Sequence, residues 1–176
     1  MTDPTQNIWI SCWLAVSALV CSWDALFCLF RPHSLPGNSL SVFWKPYKYY
    51  VEFDLSYGPE HTTGFINAQS AGNLIEAVLN LSYLYLVLKV SSAKSRQLAC
   101  VVAMVSTLMT GYKTVLFILQ EYFSDFSSIR HNPFSEIFWK WIFPQTLFVV
   151  LPLYLTYLFG DHLLRLANTA SDQKRL

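Results

Sequence analysis

Charge is scarce in this 176-residue chain: Asp, Glu, Lys and Arg make up 13% of it, against 53% hydrophobic residues. Twelve basic residues nearly balance eleven acidic ones, and no basic run exists to neutralise phosphates, so a nucleic-acid partner is excluded. The four cysteines (Cys12, Cys21, Cys28 and Cys100) form no CxxC pair and no His/Cys ligand set, and read as buried reduced thiols. His33, His61, His131 and His162 fall outside the apolar runs without ligand spacing and read as surface residues. There is no GxSxG, HExxH, glycine-rich phosphate loop or DDxxD-type acidic run. Hydrolytic triads, nucleotide chemistry, a metal centre and a cofactor are therefore not expected.

What the chain has instead is four long apolar runs. They are Ile8–Phe30, Phe65–Leu88, Leu98–Leu119 and Trp141–Phe159, carrying as their only charges Asp24, Glu76, Lys113 and none, respectively. At about 1.5 Å per helical residue, each is long enough for a hydrocarbon core roughly 30 Å thick. The expected fold is all-α: one integral membrane domain over 1–176, a four-helix bundle lying in the lipid bilayer. The first run has no basic residue before it and no small-residue cleavage site after it, so it reads as a span and not a cleaved signal. "FRPHSLPG" stops it.

An even number of spans puts both termini and the 89–97 turn on one side, with Lys89, Lys94, Arg96, Arg165, Lys174 and Arg175 in short flanks. That arrangement favours cytoplasmic termini. The other side carries two long loops, "SVFWKPYKYYVEFDLSYG" and "YFSDFSSIRHNPFSEIFWK", whose aromatic content suits interfacial lids over the helix ends. Pro144 and Pro152 predict a kinked fourth helix that widens one end of the bundle. Residues 167–176 read as a polar, disordered tail.

The polar residues within the spans carry the functional argument. Gln69, Asn73, Glu76 and Asn80 follow one another at steps of four, three and four, and so share one helical face. Ser106, Thr110 and Lys113 repeat that spacing on the third helix, Asp24 stands alone on the first, and Gln145 lies near the start of the fourth. Amide side chains also serve as interhelical glue, at about 0.6–2 kcal/mol per hydrogen bond. Carboxyls are more expensive, about 2.5–3.5 kcal/mol near the bilayer centre, and two in the same half of a bundle suggest a shared site. Lys113 is expected either to pair with one of them or to snorkel towards Glu121. A carboxylic acid kept neutral by a dry pocket can protonate an olefin or epoxide, and a nearby carboxylate can stabilise positive charge or take the proton back. Faces of Trp13, Trp23, Tyr83 and Phe148 suit a cationic intermediate.

Four segments, "CWLAVSALVCSWDALFCLF", "FWKPYKYYVEFD", "AGNLIEAVLNLSYLYLV" and "FWKWIFPQTLFVVLPLYL", together resemble the EXPERA family, which includes sterol Δ8–Δ7 isomerases and the sigma-two receptor. The resemblance implies a four-helix bundle of the endoplasmic reticulum, often a homodimer, with a pocket for a sterol-like ligand. It implies catalytic roles for Asp24 and Glu76 as an acid–base pair. Gln145 stands where the isomerases have asparagine, Phe148 where they have tryptophan, and Val20 and Cys21 where they have a histidine. Trp23, Asn73, Asn80, Tyr83 and Lys113 join Gln145 and Phe148 as expected substrate-binding residues. The chain is also similar to small fungal membrane cyclases of secondary metabolism. The expectation is thus an isomerase or cyclase acting on a hydrophobic terpenoid, polyketide or sterol. A sterol Δ8–Δ7 isomerase and a non-catalytic sterol or lipid binder are the alternatives.

Overall fold

The computed structural model describes residues 3–59, 64–89 and 92–173, and those residues form helices and turns without a strand. Four helices are long and apolar enough to cross a membrane. The fold is an all-α helical bundle.

Helix α1 spans Ile8–Leu29. Asn7 caps it by accepting a hydrogen bond from the Trp9 amide at 3.0 Å, and a 3-10 turn, Pro4–Gln6, precedes it under an Asp3 cap. A short helix α2, Tyr47–Phe53, lies between 3-10 turns Ser41–Trp44 and Leu55–Tyr57. Helix α3 spans Gly64–Lys89, and α4 spans Ala93–Phe123 from a Ser92 cap. A one-turn helix α5, Phe134–Ile137, runs through a π-helical turn, Phe138–Ile142, into α6, Phe143–Gln173. Pro144 explains that wide turn: it has no N–H for the Lys140 carbonyl, so the chain adopts a looser pitch before resuming the α-helix.

The long helices pack α1 on α3, α3 on α4 and α4 on α6. The polar stripe of α3 turns inward, with Glu76 fully buried and Asn80 buried, while Ile75, Val78 and Leu81 on the other faces are more than half exposed, as a lipid-facing surface requires. Since lipid removes most of the hydrophobic drive between helices, close packing and interhelical hydrogen bonds hold the bundle. The Ser106 hydroxyl donates to Asn80 Oδ1 at 2.7 Å, and the hydroxyls of Thr107 and Thr156 meet at 2.8 Å. Gly111 brings α4 close to α6: a Cβ there would stand 2.8 Å from Leu153 Cγ.

Several sequence expectations change. The fourth helix does not end near residue 159 but continues through the supposed tail to Gln173, about 46 Å of helix at the usual rise. Residues 167–173 contain neither Gly nor Pro, and the Asp161–Arg165 pair, 2.8 Å apart, supports the preceding turn. Lys174 and Arg175, like His61, lie outside the described residues. Cys12 is exposed, whereas Cys21, Cys28 and Cys100 are buried, and all four are free thiols. His162 lies within α6 and is only part-exposed.

The two aromatic loops fold together as a cap. The Leu55 amide donates to the Ser128 carbonyl at 3.1 Å, and Asn132 Nδ2 donates to the Phe53 carbonyl at 2.8 Å. Beneath them Phe27 stacks on Tyr47 with ring centres 4.1 Å apart, and Tyr50 meets Tyr57 edge-on at 4.9 Å. Arg31 fastens the cap to the bundle, donating to the carbonyls of Cys28 and Ser56 and to Asn67 Oδ1 at 2.9–3.0 Å.

Candidate functional site

Under this cap lies a cavity of about 280 Å³, walled by α1, α3, α4, α6 and the α2 segment. Asp24 reaches its wall from α1. The Tyr47 hydroxyl donates to Asp24 Oδ1 at 2.5 Å, and the Tyr57 hydroxyl donates to Oδ2 at 3.2 Å. Both phenols come from the cap. Burial first, and then the charge of Asp24, push their ionisation upward, so both remain O–H donors. Trp23 flanks the carboxyl, its ring edge-on to Tyr47 at 5.1 Å and its Nε1 donating to the Phe43 carbonyl at 3.2 Å. Trp44 Nε1 donates in turn to the Trp23 carbonyl at 2.9 Å, so α1 and the cap share a two-way tie beside the acid.

The second acid is placed differently. Glu76 does not line the cavity; it is fully buried behind it, where Lys113 Nζ donates to Oε2 at 2.8 Å and the Ser17 hydroxyl donates to Oε1 at 3.4 Å. Lys113 also donates to Asn73 Oδ1, and its stem crosses α3 at Gly72, where a Cβ would sit 3.5 Å from Cδ. It is therefore Lys113, and not Glu76, that faces the cavity. Of the two expectations for this lysine, pairing with a carboxyl is the one found. Glu121, the alternative neighbour, is itself fully buried.

Gln145 and Phe148 line the cavity from α6, one turn apart, together with Pro144. Gln69 lines it too and donates to the Lys113 backbone carbonyl at 2.8 Å, which fixes α3 against α4 at this level. Thus Asp24, Trp23, Asn73, Lys113, Gln145 and Phe148 come together around one space. Asn80 and Tyr83 do not join them. Asn80 binds Ser106 below the site, and Tyr83 packs near Ser11 and Phe159 in the other half of the bundle. Tyr83 lies ten residues beyond Asn73, the last α3 residue on the cavity wall, which is about 15 Å further along the helix axis.

The sequence reading missed Tyr47, Tyr57 and Ser17 as polar partners of the two acids. The cap segment was recognisable by its aromatics, but which hydroxyls turn inward depends on how α2 crosses the bundle. Asp54, also in the cap, is buried and accepts from the Ser56 amide and hydroxyl at 3.0 and 2.6 Å. Desolvation outweighs those hydrogen bonds and raises its pKa to about 6.

Chemically, the arrangement is an apolar, aromatic chamber with one carboxyl on its wall, one ammonium opposite a buried counter-ion, and three amides. No trio of metal-ligating side chains lines it among the described residues. No family model matches the chain, and no curated protein matches it.

Proposed function

We propose that the protein is a membrane-embedded isomerase or cyclase that moves a proton on and off a hydrophobic substrate, with Asp24 as the group that touches the reacting carbon or oxygen. The observation that carries this reading is the Asp24 carboxyl on the wall of an aromatic cavity, with both oxygens held by tyrosine hydroxyls. In the protonated form Asp24 gives its proton to an olefin carbon or an epoxide oxygen. For an olefin, the π pair forms the new C–H bond and leaves a cation; for an epoxide, the C–O bond breaks and leaves the cation. The hydroxyls of Tyr47 and Tyr57 solvate the carboxylate left behind, and aromatic faces of Trp23 and Phe148 stabilise the cation. Loss of a neighbouring C–H proton to the carboxylate restores neutrality. The cycle is redox-neutral and needs no cofactor.

Glu76 takes a different part from the one its sequence position suggests. Behind the wall it fixes Lys113, so it is a positioning residue, while Lys113, Asn73 and Gln145 hold the polar end of the substrate. Terpenoid, polyketide and sterol skeletons all suit the chamber, with secondary metabolism slightly favoured. The endoplasmic reticulum membrane, cytoplasmic termini and a homodimer complete the proposal.

The decisive experiment is to incubate membranes containing the protein with a Δ8-sterol and, separately, a polyprenyl epoxide in heavy water, and to follow products by mass spectrometry. Product carrying solvent deuterium, absent with Asp24→Asn, supports the mechanism. A Δ7-sterol as product selects the sterol isomerase. One observation favours a second reading, a non-catalytic sterol or lipid binder: the Lys113–Glu76 pair leaves a single free acid on the cavity wall. Saturable ligand binding with neither product nor deuterium incorporation decides for that reading.

A further inference from the structure

The opposite end of the bundle gathers a second cluster of titratable side chains. Asp3, ahead of the Pro4–Gln6 turn, Cys100 on α4 and His162 on α6 bring one ligand-type atom each to within 4.8 Å of one another. His162 Nε2 lies 3.7 Å from Asp3 Oδ1. Cys100 is almost wholly buried, and the side chains of Asp3 and His162 are only 21% and 19% exposed, so solvent reaches the group from one side.

We propose that Asp3, Cys100 and His162 form a binding site for a zinc-class divalent cation. A nitrogen, a thiolate sulfur and a carboxylate oxygen are the donors that such a borderline ion takes. Bond lengths of about 2.0–2.3 Å put tetrahedral ligands roughly 3.3–3.8 Å apart, so side-chain adjustments of about 1 Å close the set. Asp3 is already oriented by its own turn, since Oδ1 accepts from the Thr5 amide at 2.9 Å and from its hydroxyl at 2.8 Å. Its Oδ2 lies 4.0 Å from Arg96, whose half-exposed side chain can turn to solvent when a cation takes its place. Binding releases the Cys100 thiol proton to water, so affinity rises with pH. Three protein donors leave the fourth position for water. The ion would clamp the N-terminal segment to α4 and α6, at the far end of the bundle from the cavity. Cys100 and Lys113 are thirteen residues apart on α4, about 20 Å along its axis.

The experiment uses the full chain in detergent, stripped of metal and titrated with Co²⁺. The expected result is one equivalent bound, with a sulfur-to-cobalt charge-transfer band in the near ultraviolet and visible bands of a tetrahedral ion, both removed by Zn²⁺. Cys100→Ser abolishes the charge-transfer band, His162→Gln weakens binding at least about tenfold, and Cys12→Ser, which alters the exposed thiol, changes neither. If Cys100→Ser does not fold, His162→Gln and Asp3→Asn, each retaining the thiol, decide the matter through their weakened binding. A wild-type protein that takes up no Co²⁺, a charge-transfer band that survives Cys100→Ser, or binding unaffected by both His162→Gln and Asp3→Asn overturns the proposal.

Discussion

The two ends of this bundle use the same helices to opposite effect. Towards the chain termini, Ile10, Leu14, Tyr83, Ala99, Cys100, Ala103, Leu155 and Phe159 pack into a core in which small residues of α4 let large rings approach. Towards the cap, Phe27, Trp44, Tyr47, Phe53, Tyr57, Phe117 and Trp141 form an aromatic shell. The cavity lies against that shell, with Tyr47, Tyr57 and Phe117 belonging to both. At the first end α3, α4 and α6 pack to contact and the remaining space is an apolar cleft of about 390 Å³ between α1 and α6, lined by Trp9, Ile10, Trp13, Val16, Leu151 and Leu155; the second end encloses space and supplies it with charge. Membrane helices gain little from simple apolar association, so the closely packed end is what holds the bundle while the capped end stays hollow.

Substitutions at the two ends should therefore differ in kind. The largest effect is expected at the cavity wall: Asp24→Asn should lower turnover by about 10²–10⁴-fold while leaving the thermal melt nearly unchanged. A melt that collapses with activity would mean that Asp24 is a structural tie between α1 and the cap. Next comes the buried pair. Lys113→Met leaves Glu76 without its cation and should cost about 3–5 kcal/mol, and the double variant Lys113→Met with Glu76→Leu should recover most of it. Chemical denaturation in mixed micelles measures both, and a double variant no better than the single one would refute simple charge pairing.

A smaller effect, with a defined sign, lies in the cap. Asp54 has its pKa raised from 3.8 to about 6, so the folded state binds the proton more tightly than the unfolded chain. Stability is fullest below the unfolded value, falls as pH rises between the two values, and levels off above the folded one, with a total loss of about 3 kcal/mol. Asp54→Asn should flatten that slope in melts compared at about pH 4 and pH 7. The smallest effects come from adding volume. Ala103→Leu in the filled core should cost about 1–3 kcal/mol. Thr114→Leu on the cavity wall should cost less and instead weaken ligand uptake, measured by displacement of a fluorescent sterol.

The contrast also marks what could be read from the residues alone. Four spans follow from apolar run length, and the inward stripe of α3 follows from helical period, because both are local properties of the chain. That Lys113 would meet Glu76 was one of two readings, since a lysine stem reaches either a buried acid or the interface. The register between α3 and α4, fixed by Gln69 on the Lys113 carbonyl and by Gly72 under the lysine stem, decides it. The tyrosine partners of Asp24 depend on the path of α2 across the bundle, and no periodicity reports a path. Asn80 shares the stripe of Glu76 yet misses the cavity, because a shared face says nothing about depth along the axis. The triad of Asp3, Cys100 and His162 has no spacing to recognise, as each member arrives on a different element.

The π-helical turn at Phe138–Ile142 has a consequence for chain length. It holds one residue more than an α-helical turn, and each residue advances a helix by about 100°. Deleting a single residue there would close the π-turn to an α-turn and leave Gln145 and Phe148 facing Asp24, whereas the same deletion in a regular turn of α6 would rotate the helix beyond it by about 100°. The π-turn thus absorbs one residue of chain length without changing which α6 side chains meet the acid.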